Sequence, residues 1–385
     1  MKPQTTKHAV VLGAGYAGVN AALRLRLRDK HVQITVINER PFFVERIRNH
    51  QLAAGQKLKT RPLAKILGHS IGFLQGRVLK LDPHGRAVMV ETAEGTRMLQ
   101  YDLLVYALGS GLARNTEPGV WHINAHEAAT RLMAELRLHK NIAVEILGAG
   151  LTGLELATEL REKFSGADIT LIDDKEPGSH LAPRAKDYLQ RTLHAMQIKH
   201  RARRERVAVN STGTLTVDCT GFRPPALAKA SGLACDDAGR ILVDANLRAQ
   251  GFGNILVAGD AAAYAFGSRE IVYAGCATAM PMGTYAGEAA ACLLKDKNPP
   301  VFRYGFTFQC ISLGRKNGII QFLDKHTGEP IDRMLTGKSA AIFKELISRL
   351  TVLLPRLEGM TRLPFYQWRK TRTLRRVGKL VEKAG

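Results

Sequence analysis

Glycines at positions 13, 15 and 18 form a G-x-G-x-x-G run directly behind the apolar residues 9–12, and Gly148, Gly150 and Gly153 repeat it behind residues 141–147. Such a run suits the holding of a pyrophosphate. The first glycine allows a tight turn, the second lets the backbone come close to the phosphates, and the third lets a helix pack on the strand with its N-terminal N–H groups facing the anion. An acid closes each unit: Glu39 follows Gly13 by 26 residues, and Asp174 follows Gly148 by 26. A carboxylate at that strand end accepts hydrogen bonds from ribose hydroxyls. The segments ITVINE and ITLIDD align position by position, so the two units are an internal repeat.

Each unit needs a buried strand, a glycine turn, a helix and a second strand, which predicts an α/β chain with two Rossmann-like dinucleotide-binding domains. The 385 residues are enough for two to three domains. A composition 45% hydrophobic and 23% charged excludes wholesale disorder. Further strands end on glycine turns at residues 101–110, with Gly109, and 215–224, with Gly221. Residues 254–263 bring Gly259 and Asp260 to another strand end.

With these motifs in this order, residues 8–290 resemble the two-dinucleotide-binding-domain flavoprotein family. The resemblance implies FAD on the first unit, held by Gly13, Gly15, Gly18, Glu39 with Arg40 beside it, Gly109, Gly259 and Asp260. It implies NAD(P)H on the second, held by Gly148, Gly150, Gly153, Asp174 and Gly221. Arg46, with His50 and Gln51 near it, and Ala277, on the helix after Gly259-Asp260, complete the expected flavin contacts. The implied organisation is an FAD-binding domain at 1–115 and 245–300, an NAD(P)H-binding domain at 116–244, and a C-terminal interface region of strands and helix at 301–385.

Within that family the run LGAGLTGLELATEL is similar to type II NADH dehydrogenases and makes Glu155 the expected catalytic residue near the nicotinamide. ISLGRKNGIIQ resembles the ferroptosis-suppressor and apoptosis-inducing-factor-like quinone reductases. The implied reaction is FAD-dependent transfer from NADH to a quinone; the alternative is a soluble flavin-dependent NAD(P)H reductase acting on a small molecule or electron carrier. The A-Q-x-x-x-Q segment that lies beside the quinone in type II enzymes is replaced by GCATAMPMG, where Met280 and Met282 offer either a softer apolar wall or plain core packing. Asp174, with Asp173 beside it, favours NADH by repelling a 2′-phosphate. Lys175 and the basic residues 199–206 pull toward NADPH. NADH is the expected coenzyme.

The five cysteines, Cys219, Cys235, Cys276, Cys292 and Cys310, include no C-x-x-C, so neither a close-spaced redox dithiol nor a zinc ribbon is expected and no metal is assigned. Reduced thiols suit a cytoplasmic protein. The net charge is +22, which favours anionic partners. It is concentrated at the end: residues 338–385 hold twelve Lys or Arg against three Glu. A helix is expected there, with Ile342, Phe343, Leu346, Ile347, Leu350, Leu353, Leu354 and Leu357 as an apolar stripe and Lys344 and Arg349 opposite. Pro355 should kink or end it, and Phe365, Tyr366 and Trp368 follow. Two placements compete: an anchor lying on the inner face of an anionic membrane, separate from the catalytic machinery, or a helix packed on the core or on a second copy in a homodimer. Nucleic acid is the minor alternative, supported by the basic charge with its aromatic interleaving, with no helix-turn-helix, zinc finger or RNA-recognition signature.

Overall fold

The computed structural model describes residues 6–112, 119–139, 141–202, 213–264, 275–324 and 327–368. The basic residues 203–206 and 369–385 lie outside them. Helices follow in the order α1 (Tyr16–Arg28), α2 (Asn49–Ala53), α3 (Leu63–Leu67), α4 (His126–Leu136), α5 (Leu151–Lys163), α6 (Pro183–Ala195), α7 (Leu227–Ala230), α8 (Cys276–Leu293) and α9 (Gly337–Thr361).

Two parallel sheets carry the two glycine units. In the first, strand Ile255–Val257 lies beside Leu103–Tyr106, then His8–Leu12, Gln33–Asn38 and Gly72–Gln75. Leu12 stands between Ile37 and Tyr106. In the second, Val120–His122 lies beside Thr214–Asp218, then Ala143–Leu147, Asp168–Ile172 and Lys199–Arg201, with Leu147 between Ile172 and Asp218. The central strand of the first sheet is apolar without alternation (Val10, Val11 and Leu12 are fully buried) because both of its faces are covered, with α1 and the antiparallel strands Arg77–Asp82 and Ala87–Thr92 contributing to the same core. In each sheet the chain leaves the central strand first to one side and later to the other. That reversal opens a crevice at the carboxyl ends of the strands, where ligands of such sheets bind.

Two glycines four residues apart bring α8 onto α1. A Cβ at Gly283 would stand 2.1 Å from the Ala17 carbonyl oxygen, and one at Gly287 would stand 2.4 Å from that of Ala21. Met280 and Met282 are buried in this core rather than lining an open wall. Arg24, also buried, ties three elements together: Nη1 donates to Glu288 Oε1 (2.8 Å) on α8, Nη2 donates to the Tyr366 carbonyl (2.6 Å), and Glu358 of α9 lies 3.6 Å away.

The C-terminal region is an antiparallel sheet of Phe308–Ser312, Gly318–Leu323 and Pro330–Thr336, followed by α9. The helix departs from expectation in two ways. Pro355 neither ends nor breaks it; α9 runs on to Thr361 and stops where Arg362 turns left-handed (φ 57°). The most buried face is Ala340, Ser348, Thr351, Val352, Pro355 and Glu358, and of the apolar stripe Phe343, Ile347, Leu350, Leu354 and Leu357 are only half-buried. Small side chains allow contact that leucines would prevent: a Cβ at Gly359 would lie 1.9 Å from the Ile66 carbonyl oxygen. Ile342 (70% exposed), Leu346 (53%) and Leu353 (46%) point outward, with Met360, Leu363 and Phe365 exposed beyond them. Tyr366 and Trp368, expected at an interface, instead pack partly on the first core, and Trp368 Nε1 donates to the Arg303 carbonyl (3.0 Å). The helix is therefore built into the body by one face and left bare on the other.

Candidate functional site

The two glycine turns are near copies. Gly13 has φ 91° and its Cβ would lie 2.5 Å from the Ala107 carbonyl oxygen; Gly148 has φ 96°. A Cβ at Gly18 would fall 1.8 Å from the Gly13 oxygen, and one at Gly153 would fall 1.9 Å from the Gly148 oxygen, so neither helix could sit so close to its turn with any other residue. At Gly15 and Gly150 a Cβ would meet nothing within 4 Å. These middle glycines face open space in front of the N-termini of α1 and α5, which fits two pyrophosphates approached by bare backbone.

Each turn is braced from the neighbouring strand. Ala14 N donates to Asn38 Oδ1 (3.0 Å), and Ala149 N donates to Asp173 Oδ2 (2.8 Å). Asp173 is thus a turn brace, matched to Asn38 by the alignment of ITVINE with ITLIDD. The residues one further on, Glu39 and Asp174, are exposed at the strand ends. Much of the described positive charge nearby is neutralised locally: Lys199 pairs with Asp168 (2.7 Å) and Arg201 with Glu145 (2.8 Å). Gly109 and Gly221 both have positive φ, 66° and 59°, with open space at the Cβ position.

Arg40 points its guanidinium at Glu127 of α4, donating to Oε1 and Oε2 at 2.7 Å each, and those bonds hold the Glu127 carboxyl down at about 2. A cavity of about 700 Å³ opens there, lined by Arg40, Trp121, His122, Asn124 and Arg131 among others. Further along the crevice Asp260 gathers the other expected flavin contacts. Its Oδ2 accepts from Ser110 Oγ (2.7 Å), its Oδ1 accepts from Gly275 N (3.1 Å), and Arg46 Nη1 lies 3.9 Å away while donating to the Ser110 carbonyl (2.6 Å). Ala277 is exposed in the first turn of α8, where Pro281 has no N–H to give its carbonyl.

Glu155 is almost fully buried and is the centre of a polar cluster. Lys344 Nζ and Ser312 N (3.0 Å) donate to its Oε1, and His50 Nδ1 lies 3.4 Å from Oε2. Burial opposes its charge, but Lys344, His50 and the Ser312 N–H together hold the carboxyl below the usual range. Burial pushes His50 down to about 4 against the pull of Glu155, so it is a neutral imidazole at neutral pH. Its Nε2 is buried and makes no hydrogen bond among the described residues. Gln51 accepts from Arg48 Nη1 (3.2 Å). Burial raises the Cys276 and Cys310 thiols to about 11 and about 12, so neither is a thiolate nucleophile.

Lys344 is the member of this cluster that sequence reading placed on the outer face of α9. Its position was legible in one respect: it stands midway between Ala340 and Ser348 at four-residue spacing, on the small-residue face that packs inward. The other motif residues of the C-terminal sheet are structural. Gln321 Oε1 accepts from Ala182 N (3.2 Å) at the start of α6, and Asn317 Oδ1 accepts from Tyr188 (2.9 Å).

The buried neutral state of His50 has a cost in acid. Between its ordinary pKa of 6.5 and the folded value near 4, the unfolded chain binds a proton that the folded chain refuses, so stability falls as pH drops through that window. His50→Gln removes this contribution. The variant's Tm should fall less than that of the natural protein between pH 6.5 and 4.5; parallel curves would show that His50 does not titrate in this range.

Residues 7–283 match the family described as pyridine nucleotide-disulphide oxidoreductase. An NADH dehydrogenase-like protein of Mycobacterium tuberculosis is 29% identical over 318 residues, 72% of this chain and 78% of the relative. A type II NADH:quinone oxidoreductase of Staphylococcus haemolyticus is 25% identical over 401 residues, 91% of this chain and 96% of the relative. Among solved structures, the sulfide:quinone oxidoreductase of Aquifex aeolicus superposes with a TM-score of 0.76 at 20% identity, covering 95% of this chain and 98% of that one. NDH2 of Plasmodium falciparum, in complex with NADH, superposes at 0.72 with 14% identity, covering 92% and 98%. With twin glycine turns at two sheet crevices and a family match across most of its length, the chain belongs to the pyridine nucleotide-disulphide oxidoreductase family and is an FAD-containing, NAD(P)H-dependent oxidoreductase.

Proposed function

We propose that the protein oxidises NADH and reduces a quinone while resting on the cytoplasmic face of an anionic membrane. The observation that carries this reading is the two-sidedness of α9. Its inner face delivers Lys344 to Glu155, while its outer face leaves Ile342, Leu346 and Leu353 exposed. One helix thus joins an apolar surface fit for lipid to the polar cluster expected beside the nicotinamide. The net charge of +22 suits an anionic surface, where each basic residue adds about 1 kcal/mol. No helix among the described residues is long and apolar enough to cross a membrane. The type II NADH:quinone oxidoreductase similarity supports the acceptor class.

In this reading the first glycine turn and the N-terminus of α1 hold the FAD pyrophosphate, with Glu39 on the ribose. The cavity beside Arg40 takes the adenosine end, and Arg46, Gly109, Ser110, Asp260 and Ala277 line the way to the flavin. The second turn, with Asp174 and Gly221, holds NADH. FAD held by these residues would supply the chemistry of taking hydride from a nicotinamide and returning two electrons to a quinone. Glu155, fixed by Ser312 N–H and Lys344, orients the carboxamide side of the nicotinamide. His50 stays neutral and helps exclude water from that pocket. None of the cysteines takes part.

The structure dictates how the membrane contact should be tested. Removing α9 would also remove Lys344 and the Arg24–Glu358 contact, so point changes on its outer face are the proper probe. Leu346→Glu with Leu353→Glu deletes apolar area and adds repulsion, which should weaken binding to anionic vesicles by roughly tenfold to a hundredfold. Ferricyanide reduction should stay intact while reduction of a long-chain quinone in the vesicles slows. Unchanged vesicle binding would remove α9 from the membrane contact.

A further inference from the structure

Helix α4 belongs to the second half of the chain, yet one of its faces reaches the first half. Ala129, Leu132 and Leu136 recur at helical spacing and are buried in the second core, so Glu127 and Arg131, four residues apart, share the opposite face. Arg40, one residue beyond Glu39, comes to meet that face and donates to both Glu127 carboxylate oxygens at 2.7 Å. The cavity of about 700 Å³ opens beside this pair. Arg40 is its lining residue from the first half, and the rest of its described wall falls within residues 119–131. Trp121 brings a half-buried indole to that wall. Arg131 is exposed and has no ion-pair partner among the described residues. The two sides of the cavity are held in register from behind. Asn49, 2% exposed, donates from Nδ2 to the Ile123 carbonyl (2.7 Å), and Leu52, Ala53 and Ala54 of the same first-half segment are buried in the second core. The rings of Phe42 and His126 meet edge-on at 5.7 Å.

We propose that residues 119–131 clamp the adenosine end of FAD, so that the half of the chain that holds NADH is also part of the flavin site. This rests on the placement of that end in the cavity beside Arg40. Glu39, exposed one residue from the rim, is free to take the ribose. Trp121 offers a flat π face to a purine, and Arg131 offers a guanidinium to the same ring or to the phosphate of the AMP half. Arg40 is neutralised by Glu127 and serves as the rim that joins the two halves. The clamp also selects among flavins. FMN ends at its own phosphate, carries no adenosine, and forfeits every contact that residues 119–131 supply.

The test is a titration of flavin-free protein with FAD and, separately, with FMN, followed by flavin absorbance. The natural protein should bind FAD at least about tenfold more tightly than FMN. Trp121→Leu should weaken FAD about tenfold and leave FMN within about twofold, and Trp121→Phe, which keeps a ring, should recover part of the loss. Trp121 also packs partly on the second core. Arg131→Ala, at an exposed position, is therefore read in the same titration and should weaken FAD about threefold without weakening FMN. Equal loss of FAD and FMN in the variants, or an unchanged affinity for FAD in both, overturns the clamp. A natural protein that binds FMN as tightly as FAD overturns the placement of the adenosine and the clamp together, a result distinct from failure of the variants alone. No arm of the titration involves an electron acceptor, so the quinone reading is judged separately.

Discussion

Asp260→Ala should strip the protein of FAD. In the folded chain the Asp260 carboxylate holds three parts of the crevice at once: Ser110 behind the first sheet's glycine turn, the Gly275 N–H at the head of α8, and Arg46 at 3.9 Å. Alanine removes the acceptor common to all three and leaves the Arg46 guanidinium without the carboxylate that offsets its burial. Loss of a charge-assisted bond in so enclosed a place costs on the order of 2–3 kcal/mol, which is roughly 30- to 150-fold in affinity. The measurement is a titration of flavin-free protein with FAD, followed by the change in flavin absorbance. A variant that keeps one tightly bound FAD per chain would move the flavin away from Asp260.

Asp174→Arg should turn the coenzyme preference toward NADPH. Asp174 stands exposed one residue beyond the brace Asp173, at the position where Glu39 stands in the first unit. An arginine there gains a charge-assisted bond to the 2′-phosphate and relieves repulsion, worth on the order of 2–3 kcal/mol together. The ratio of kcat/KM for NADPH over NADH should rise roughly 30- to 150-fold. A natural protein that already prefers NADPH tenfold would show that this acid does not set the choice.

The parts of the molecule readable from sequence are those in which backbone geometry demands a particular residue. Gly13 and Gly148 need positive φ, and Gly18 and Gly153 have no room for a side chain, so the glycine pattern reports the turn directly. Continuous apolar strands such as residues 9–12 likewise report a sheet covered on both faces. What escaped reading depends on tertiary contact. Asp173 and Asp174 are chemically alike, and only the hydrogen bond from Ala149 separates the brace from the exposed acid. On α9 hydrophobicity suggested one buried face, whereas close packing against Ile66 selected the small residues and left leucines outside. Lys344 looked like a solvated cation because its partner, Glu155, is 189 residues away in the chain.

The central claim is tested most directly by following NADH and quinol together. FAD-loaded protein is mixed, without oxygen, with NADH and vesicles that contain anionic lipid and a long-chain quinone. The account predicts one quinol formed for each NADH consumed, a rate that falls when salt screens the anionic surface, and a smaller effect of salt on the rate at saturating ferricyanide. Rapid NADH oxidation by ferricyanide with no quinol formed at any salt concentration would contradict it.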